Sequence, residues 1–304
     1  MRSLLFVPGD SPRKMEKAAG SGADALILDL EDSVSLSRKT EAREMVAQFV
    51  ASADRAFPAP RLVVRVNALD TGLTDDDLAA VIKARPDAVL LPKAGSGADI
   101  QDLGARIAVE EAEAGLDEGT VLIHALMTET AGGLLQAGTF AGKSQRLSAL
   151  AWGAEDLAAD IGATSNKDAS GRYTDVFRMA RSLTLLAAAQ SGVEAVDTVF
   201  TDFRNMEDLK KECDAAVRDG FSGKMAIHPD QVAVINAAFT PAPEDLERAI
   251  KILALFAAAG PDAGVLSLDG RMIDKPHLRQ AERIARRAGL DPAALPEMDE
   301  ADRD

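Results

Sequence analysis

Residues 149–160, ALAWGAEDLAAD, place two adjacent carboxylates, Glu155 and Asp156, just behind an apolar run that breaks at Gly153. An acid at the end of a buried strand is costly unless a positive group or hydrogen-bond donors meet it, so Glu155 or Asp156 points to a cation or a hydrogen-bonded anchor. Acids also cap a first helical turn and complement its dipole, which is the plain alternative. The rest of the chain repeats the arrangement. Asp29, Glu31 and Asp32 follow one apolar run, Arg65 and Asn67 close another, and Lys93 follows a third. Thr128, Glu129 and Thr130 follow a fourth, while Asp202 and His228 end the last ones. If these ends converge, so many carboxylates with one arginine and one lysine cannot all be ionised and unpaired. A divalent metal resolves the conflict. Oxygen ligands without cysteine or paired histidine favour Mg²⁺, or Mn²⁺, over Zn²⁺. Structural readings stand beside these: Arg65 as ion-pair partner of Glu31 or Asp32, Lys93 as a structural cation, and His228 as a cap or packing group. His124 reads as a satisfied core histidine and His277 as an exposed residue of the last helix.

The elements that would bring these residues together are legible as apolar runs of strand length. Eight occur, at 3–7, 25–30, 62–66, 88–91, 121–126, 149–152, 195–200 and 224–227. Each is followed by a polar break and a helix-period stretch. Near-continuous apolar runs are what parallel strands buried on both faces require. Eight such units predict an α/β fold, a closed (β/α)₈ TIM barrel, with the site at the carboxyl ends of the strands. An open doubly wound sheet is disfavoured, because no GxGxxG turn follows the first strand. Ser11-Pro12 starts the first helix, Thr74 or Asp75 another and Asp99 a further one. Residues 160–173 read as a mobile loop over one rim.

At 304 residues the chain exceeds the roughly 250 of a typical barrel. The organisation expected is a catalytic barrel over 1–240, a C-terminal arm over 241–290 and an acidic tail over 291–304, solvated and mobile from 297 on. The arm reads as helix, hairpin and helix, folding at Asp269-Gly270, the strongest short-range turn dipeptide. An arm outside the eight βα units has no core position of its own, so burial of Leu266, Leu268, Met272 and Ile273 against a neighbouring subunit is expected.

A net charge of −15 excludes a nucleic-acid surface, whose affinity comes from neutralising phosphates. An anionic substrate must then be held by a local basic group or a metal. No run approaches a membrane span or a signal-peptide core, so the chain reads as cytoplasmic. Cys213 is the sole cysteine, which excludes an intrachain disulfide, and it reads as a spectator.

Eight motifs, in order over residues 2–290, carry a family resemblance: LLFVPGD at 4–10, ADALILDLED at 23–32, VRVNA at 64–68, LLPKA at 90–94, TETAGGL at 128–134, WGAEDLAADIG at 152–162, GKMAIHPDQV at 223–232 and SLDGRMIDKPH at 267–277. Together they resemble the citrate lyase β-subunit-like proteins of the HpcH/HpaI aldolase superfamily, with its malyl-CoA and citramalyl-CoA lyases. The resemblance implies Mg²⁺ on Glu129 and Asp156, with Arg65 gripping the carboxylate and keto oxygen of a 2-oxo acid. Glu129, Gly153 and Ala154 would border that substrate, and Glu31 with Asp32 would order metal-bound water. Coenzyme A would lie near Pro8, Gly9, Arg13, Lys14 and His228. Asp274 would reach the active site of an adjacent subunit as proton donor, in a homo-oligomer such as a trimer or hexamer; the plain alternative is that it caps the last helix.

The implied reaction is Mg²⁺-dependent cleavage of a 3-hydroxyacyl-CoA to acetyl-CoA and a 2-oxo acid, or its reverse. The alternatives are a citrate lyase β subunit acting on a citryl-acyl carrier protein, a malate or citramalate synthase or malyl-CoA thioesterase, and a non-catalytic acyl-CoA-binding subunit. Three departures from the family pattern bear on substrate and acyl-carrier contacts and leave the metal pattern intact. They are Ala94-Gly95-Ser96 where many relatives have Val-Glu-Ser, Thr128 in place of Ile, and Gly132 in place of a frequent Arg.

Overall fold

A computed structural model describes residues 1–56, 58–260 and 262–292. The chain divides into two compact units, Met1–Asn236 and Ala237–Asp304. The acidic tail expected over 297–304 lies outside the described residues, as does most of 291–304.

The first unit is the expected barrel. Its elements run β1 (Ser3–Pro8), α1 (Pro12–Ala19), β2 (Ala25–Asp29), α2 (Lys39–Ser52), β3 (Arg61–Arg65), α3 (Thr74–Val81), β4 (Ala88–Leu91) and α4 (Gly97–Glu113). They continue β5 (Leu122–Leu126), α5 (Ala131–Leu135), β6 (Leu147–Ala151), α6 (Ala154–Asp160), α7 (Asp175–Ser191), β7 (Glu194–Asp197), α8 (Met206–Asp219) and β8 (Gly223–Ala226), with α9 (Pro229–Phe239) after the last strand. All eight strands are parallel, and β1 closes the barrel on β8 through Ser3↔Lys224, Leu4↔Met225 and Leu5↔Ala226. The interior is filled by alternate residues, among them Leu4, Ile27, Val63, Leu90, Leu126 and Met225, while the next residues along each strand pack under the helices. Burial on both faces is why the strands read as unbroken apolar runs.

Several boundaries differ from expectation for local reasons. β6 starts at Leu147, where it pairs with Ile123, and β7 stops at Asp197, because its pairing with β8 ends at Asp197↔Lys224. Asp99 is not the cap of α4. Ser96 is, and Asp99 reaches back from the third helical position to the N–H groups of Gly95 at 2.6 Å and Ser96 at 3.2 Å, a capping box. The loop at 160–173 is tied rather than free. A bridge joins Lys167 to Tyr173, the Tyr173 ring meets Trp152 edge-on at 5.1 Å, and the Lys167 ammonium pairs with Glu212.

The second unit holds α10 (Pro243–Ala259), β9 (Val265–Leu268), β10 (Arg271–Asp274) and α11 (Lys275–Arg287). Asp269 and Gly270 both have positive φ, 51° and 70°, as the tight hairpin between β9 and β10 requires. The expectation that this segment lacks a core of its own is corrected. Leu268 and Ile273 are buried with Ile252, Leu253, Phe256 and Ala281, and Leu266 packs on that cluster, so of the four residues assigned to a neighbour only Met272 is exposed. Among the described residues no helix is long and apolar enough to cross a membrane. Cys213 is buried in α8, and burial pushes its thiol up to about 12, which makes it inert at neutral pH.

Candidate active site

The parallel register sets Asp29, the last residue of β2, directly against Arg65, the last of β3. Their side chains meet in a two-pronged pair, with Arg65 Nε 2.7 Å from Asp29 Oδ1 and Nη2 2.7 Å from Oδ2. The N–H groups of Glu31 and Ser33 also donate to this carboxylate, at 2.9 and 3.1 Å. Burial raises the Asp29 pKa, but Arg65 and these donors outweigh it and hold the group below its ordinary value. The guanidinium lies 4.8 Å over the Phe6 ring, which closes its other face. Arg65 is therefore fixed, and only Nη1 faces away from Asp29. That nitrogen sits 2.8 Å from Glu31 Oε2, yet off the donor axis, so this buried oxygen accepts no hydrogen bond.

Glu31, Asp32, Lys93, Glu129 and Asp156 complete the mouth. Lys93 has a left-handed backbone, φ 52°, and its ammonium hydrogen-bonds Glu31 Oε1 and lies 3.4 Å from Asp156 and 3.7 Å from Asp32. Burial lowers the Lys93 pKa, but Glu31, Asp156 and Glu129 together raise it further, so it stays charged. Glu129, 3% exposed, accepts the Lys93 backbone N–H at 2.6 Å. Its pKa is pushed up to about 8, first by burial and then by Asp156 and Glu31, against the pull of Lys93. Burial also raises Glu31, more than Arg65 and Lys93 lower it. These carboxylates hold more negative potential than Lys93 and Arg65 relieve. Among the described residues no three His, Cys, Asp or Glu side chains converge as a complete ligand set. The donor set instead fits a hard cation that takes two carboxylates and fills its other places with water or substrate. Glu31 Oε2 and Thr128 Oγ1 are buried without a hydrogen-bond partner among the described residues, and Thr128 directly precedes Glu129.

Glycines make room for this packing. A Cβ on Gly153 would stand 2.6 Å from Glu129 Cγ and 2.9 Å from Oε1, and one on Gly9 would stand 2.6 Å from the Asp29 carbonyl. Gly153→Ala should accordingly displace Glu129, lowering kcat by about tenfold or more while costing about 1–3 kcal/mol of stability, the usual price of overpacking. Steady-state kinetics beside chemical denaturation measure both, and parent-like kcat would mean that Glu129 tolerates the shift.

The other expected site residues are distributed as follows. Ala154 opens α6 and is buried, with its N–H 3.4 Å from Thr198 Oγ1, and Asp156 lies in the first turn of the same helix. Pro8 ends β1, and Gly9 N–H donates to the Asp29 carbonyl at 2.9 Å. Arg13 and Lys14 are exposed on the first turn of α1. His228 stacks on Phe203 at 4.9 Å and accepts the Asp230 N–H, while Asp202 is exposed. Glu155 points to Asn166 at 2.8 Å rather than to the mouth. Asp274, in the second unit, caps α11. Its Oδ1 lies 2.6 Å from His277 Nδ1, which holds its pKa below the ordinary value.

Some supports carry no sequence signal. Lys39 donates to the carbonyls of Leu30 and Glu31 at 2.6 and 2.7 Å, which fixes the turn that presents Glu31. Asn67, counted among the chemical groups, is structural and bonds Asp77 at 2.7 Å from both backbone and side chain. Lys224, read as part of an apolar run, is a buried ammonium 2.9 Å from Asp197, which also accepts Trp152 Nε1 at 2.7 Å. His124 is buried as expected, and among the described residues no protein group hydrogen-bonds its ring, which lines a cavity open to solvent.

Comparison with known proteins bears on this geometry. A family model described as HpcH/HpaI aldolase/citrate lyase matches residues 2–229. The chain is 34% identical over 290 residues to a citrate lyase subunit beta of Leuconostoc mesenteroides subsp. cremoris, covering 94% of this chain and 93% of the relative. It is also 34% identical over 288 residues to a (3S)-malyl-CoA thioesterase of Cereibacter sphaeroides, covering 94% of each. A mitochondrial citramalyl-CoA lyase of Rattus norvegicus is 34% identical over 300 residues, covering 93% of this chain and 84% of the relative. Among solved structures, the CitE protein of Mycobacterium tuberculosis in complex with magnesium, acetoacetate and coenzyme A superposes with a TM-score of 0.73 at 36% identity, covering 95% of this chain and 98% of that one.

Proposed function

The chain belongs to the HpcH/HpaI aldolase/citrate lyase family, and we propose that it is a Mg²⁺-dependent carbon–carbon lyase. Its substrate is a 3-hydroxyacyl-CoA of the malyl-CoA or citramalyl-CoA class, cleaved to acetyl-CoA and a 2-oxo acid, or made by the reverse condensation. The observation that carries the reading is the buried Glu129 carboxyl beside Asp156, raised to about 8 in a mouth that Arg65 and Lys93 leave short of positive charge. The magnesium, acetoacetate and coenzyme A bound by the similar CitE structure support it.

Glu129 and Asp156 would hold the metal, which when bound supplies a Lewis acid to the hydroxyl oxygen that becomes the ketone. Arg65, fixed by Asp29, keeps a permanent positive charge in the mouth for the carboxylate and for charge developing on that oxygen. The hydroxyl proton leaves through Glu31, or through water that it orders with Asp32. The O–H electron pair forms the carbonyl, the carbon–carbon bond breaks, and its electrons pass to the thioester enolate. A proton delivered to the enolate carbon completes acetyl-CoA, and Asp274 of an adjacent subunit is the donor in this reading. To act, Asp274 must leave His277, which holds its carboxyl below the ordinary value and so ionised, and take up a proton from water before giving it to the enolate carbon. The coenzyme lies along Pro8, Gly9 and the exposed Arg13 and Lys14, with His228 as a further contact.

The test is a mass-spectrometric screen of the purified protein with Mg²⁺, acetyl-CoA or propionyl-CoA, and a panel of 2-oxo acids. A 3-hydroxyacyl-CoA that forms with Mg²⁺ and disappears after EDTA is the expected result. Release of free CoA would move the protein to the synthase or thioesterase reading. Turnover confined to a citryl-acyl carrier protein would make it a citrate lyase β subunit, and acyl-CoA binding without turnover would make it a non-catalytic subunit. For the shared site, Asp274→Asn protein and Glu129→Gln protein, each inactive alone, should regain activity once mixed and allowed to exchange subunits. If exchange is verified and activity stays absent, Asp274 does not act in trans.

A further inference from the structure

The base of the barrel, at the amino ends of the strands and opposite the mouth, holds a cavity of about 640 Å³. Its walls come from the starts of β3, β4 and β5 and from the end of α2, and three arginines, Arg55, Arg61 and Arg85, line it against one aspartate, Asp87. That aspartate is already committed. It accepts Arg55 Nη1 at 2.7 Å and the Leu62 N–H at 2.6 Å, while Arg55 Nη2 donates to the Arg85 carbonyl at 2.8 Å. Among the described residues the guanidinium groups of Arg61 and Arg85 have no ion-pair or hydrogen-bond partner. In a chain of net charge −15, two uncompensated cations at the rim of one cavity stand out against the general field. Arg85 is also one of three non-glycine residues with positive φ among the described residues, at 63°, a conformation that an L-residue rarely adopts.

At the depth of the cavity stands His124, 5% exposed and on the same alternation as Leu122 and Leu126, so its ring enters the barrel interior. Burial, with the nearby Arg61 and the amino terminus, holds the ring neutral with a pKa of about 4, leaving one donor and one acceptor nitrogen. Among the described residues no protein group hydrogen-bonds the ring, and its nitrogens are not sealed from solvent, so they open to the cavity where a ligand can meet them. The β5–β6 register slips at this residue: Ile123 pairs with Leu147 but His124 with Ala149, the kind of bulge that re-aims side chains near sites.

We propose that the base of the barrel is a binding site for a small organic anion, its carboxylate or phosphate group held between Arg61 and Arg85 and its body reaching His124. The two cations supply charge-assisted donors, the apolar strand starts enclose the body, and His124 reads one polar atom at the end. This site is separate from the mouth: Arg61 begins the strand that Arg65 ends.

The experiment follows the imidazole resonances of the full chain, which has three histidines, with His228→Gln and His277→Gln for assignment. The probes are inorganic phosphate and succinate. His124 should shift saturably with at least one of them, at a Kd of about 1 mM or tighter. Response to phosphate alone identifies a phosphate-bearing ligand, and response to succinate alone a carboxylate. The Arg61→Gln, Arg85→Gln double variant should weaken that binding by about tenfold or more, while Glu129→Gln leaves it unchanged. No His124 response to either probe in the unmodified protein overturns the proposal, with no variant required to fold. A response that the double variant does not weaken overturns it as well.

Discussion

Glu129→Gln and Asp156→Asn should each lower kcat/KM for Mg²⁺-dependent cleavage by about a thousandfold or more, because each removes roughly 4 kcal/mol of charge stabilisation from the transition state. Neither should unfold the barrel. Glu129 sits 3% exposed with its charge opposed by burial and by Asp156, so the neutral amide relieves that repulsion and can still accept the Lys93 N–H. Asp156 faces Lys93 at 3.4 Å across a partly open mouth, where an ion pair contributes little to stability. Magnesium titration by calorimetry, kinetics and thermal unfolding on the same preparations separate the effects. Activity within tenfold of the parent in either variant, with metal shown to be required, would move the ligand role to other residues.

Asp29→Asn should be the costliest single change to stability around the mouth, about 3–5 kcal/mol, since it removes the two-pronged partner of the buried Arg65 guanidinium and leaves only Glu31, off the donor axis, to balance it. Denaturant titration should register a lower midpoint at unchanged slope. The pH dependence has a definite sign. The folded pKa of Asp29 is depressed, so its contribution is fully present above the ordinary carboxylate value near 4 and is lost as pH falls through the folded value. Parent and variant stabilities should therefore approach one another in acid and stand furthest apart at neutral pH. Arg65→Lys should lose activity as well, because a point charge cannot span both Asp29 oxygens and Glu31. An Asp29→Asn protein within about 1 kcal/mol of the parent would mean that Arg65 is held by something other than this pair.

The barrel was legible because both faces of every strand are buried, so each strand announces itself as an apolar run, and polar groups collect where the runs end. The partnership of Asp29 with Arg65 was not. Sequence reading paired Arg65 with Glu31 or Asp32, and Glu31 does lie 2.8 Å from it, but Asp29 was counted only among the mouth acids, since its meeting with Arg65 depends on the β2–β3 register, which a run of apolar residues does not encode. Lys93 was read as structural because nothing in Pro-Lys-Ala-Gly signals a left-handed backbone turning the ammonium toward Glu31 and Asp156. Lys224 passed for part of an apolar strand because its compensating acids, Asp197 and Glu212, come from other elements. The hairpin turn was visible in Asp269-Gly270, but the destination of its apolar residues was not, as alternation along β9 and β10 says which residues are buried and not against what.

With Glu129 as the proposed ligand, its elevated pKa would make metal uptake a competition with a proton. At neutral pH a cation arriving at a carboxyl pushed up to about 8 by burial and by Asp156 would have to expel a hydrogen ion to gain a charged ligand. Apparent affinity for magnesium would then fall by up to about tenfold for each unit of acidification below that value, with no change in the ligands themselves. The occupied fraction of such a protein would track hydrogen-ion and magnesium activities together, so that modest acidification at constant magnesium would disarm it reversibly while the barrel stays folded.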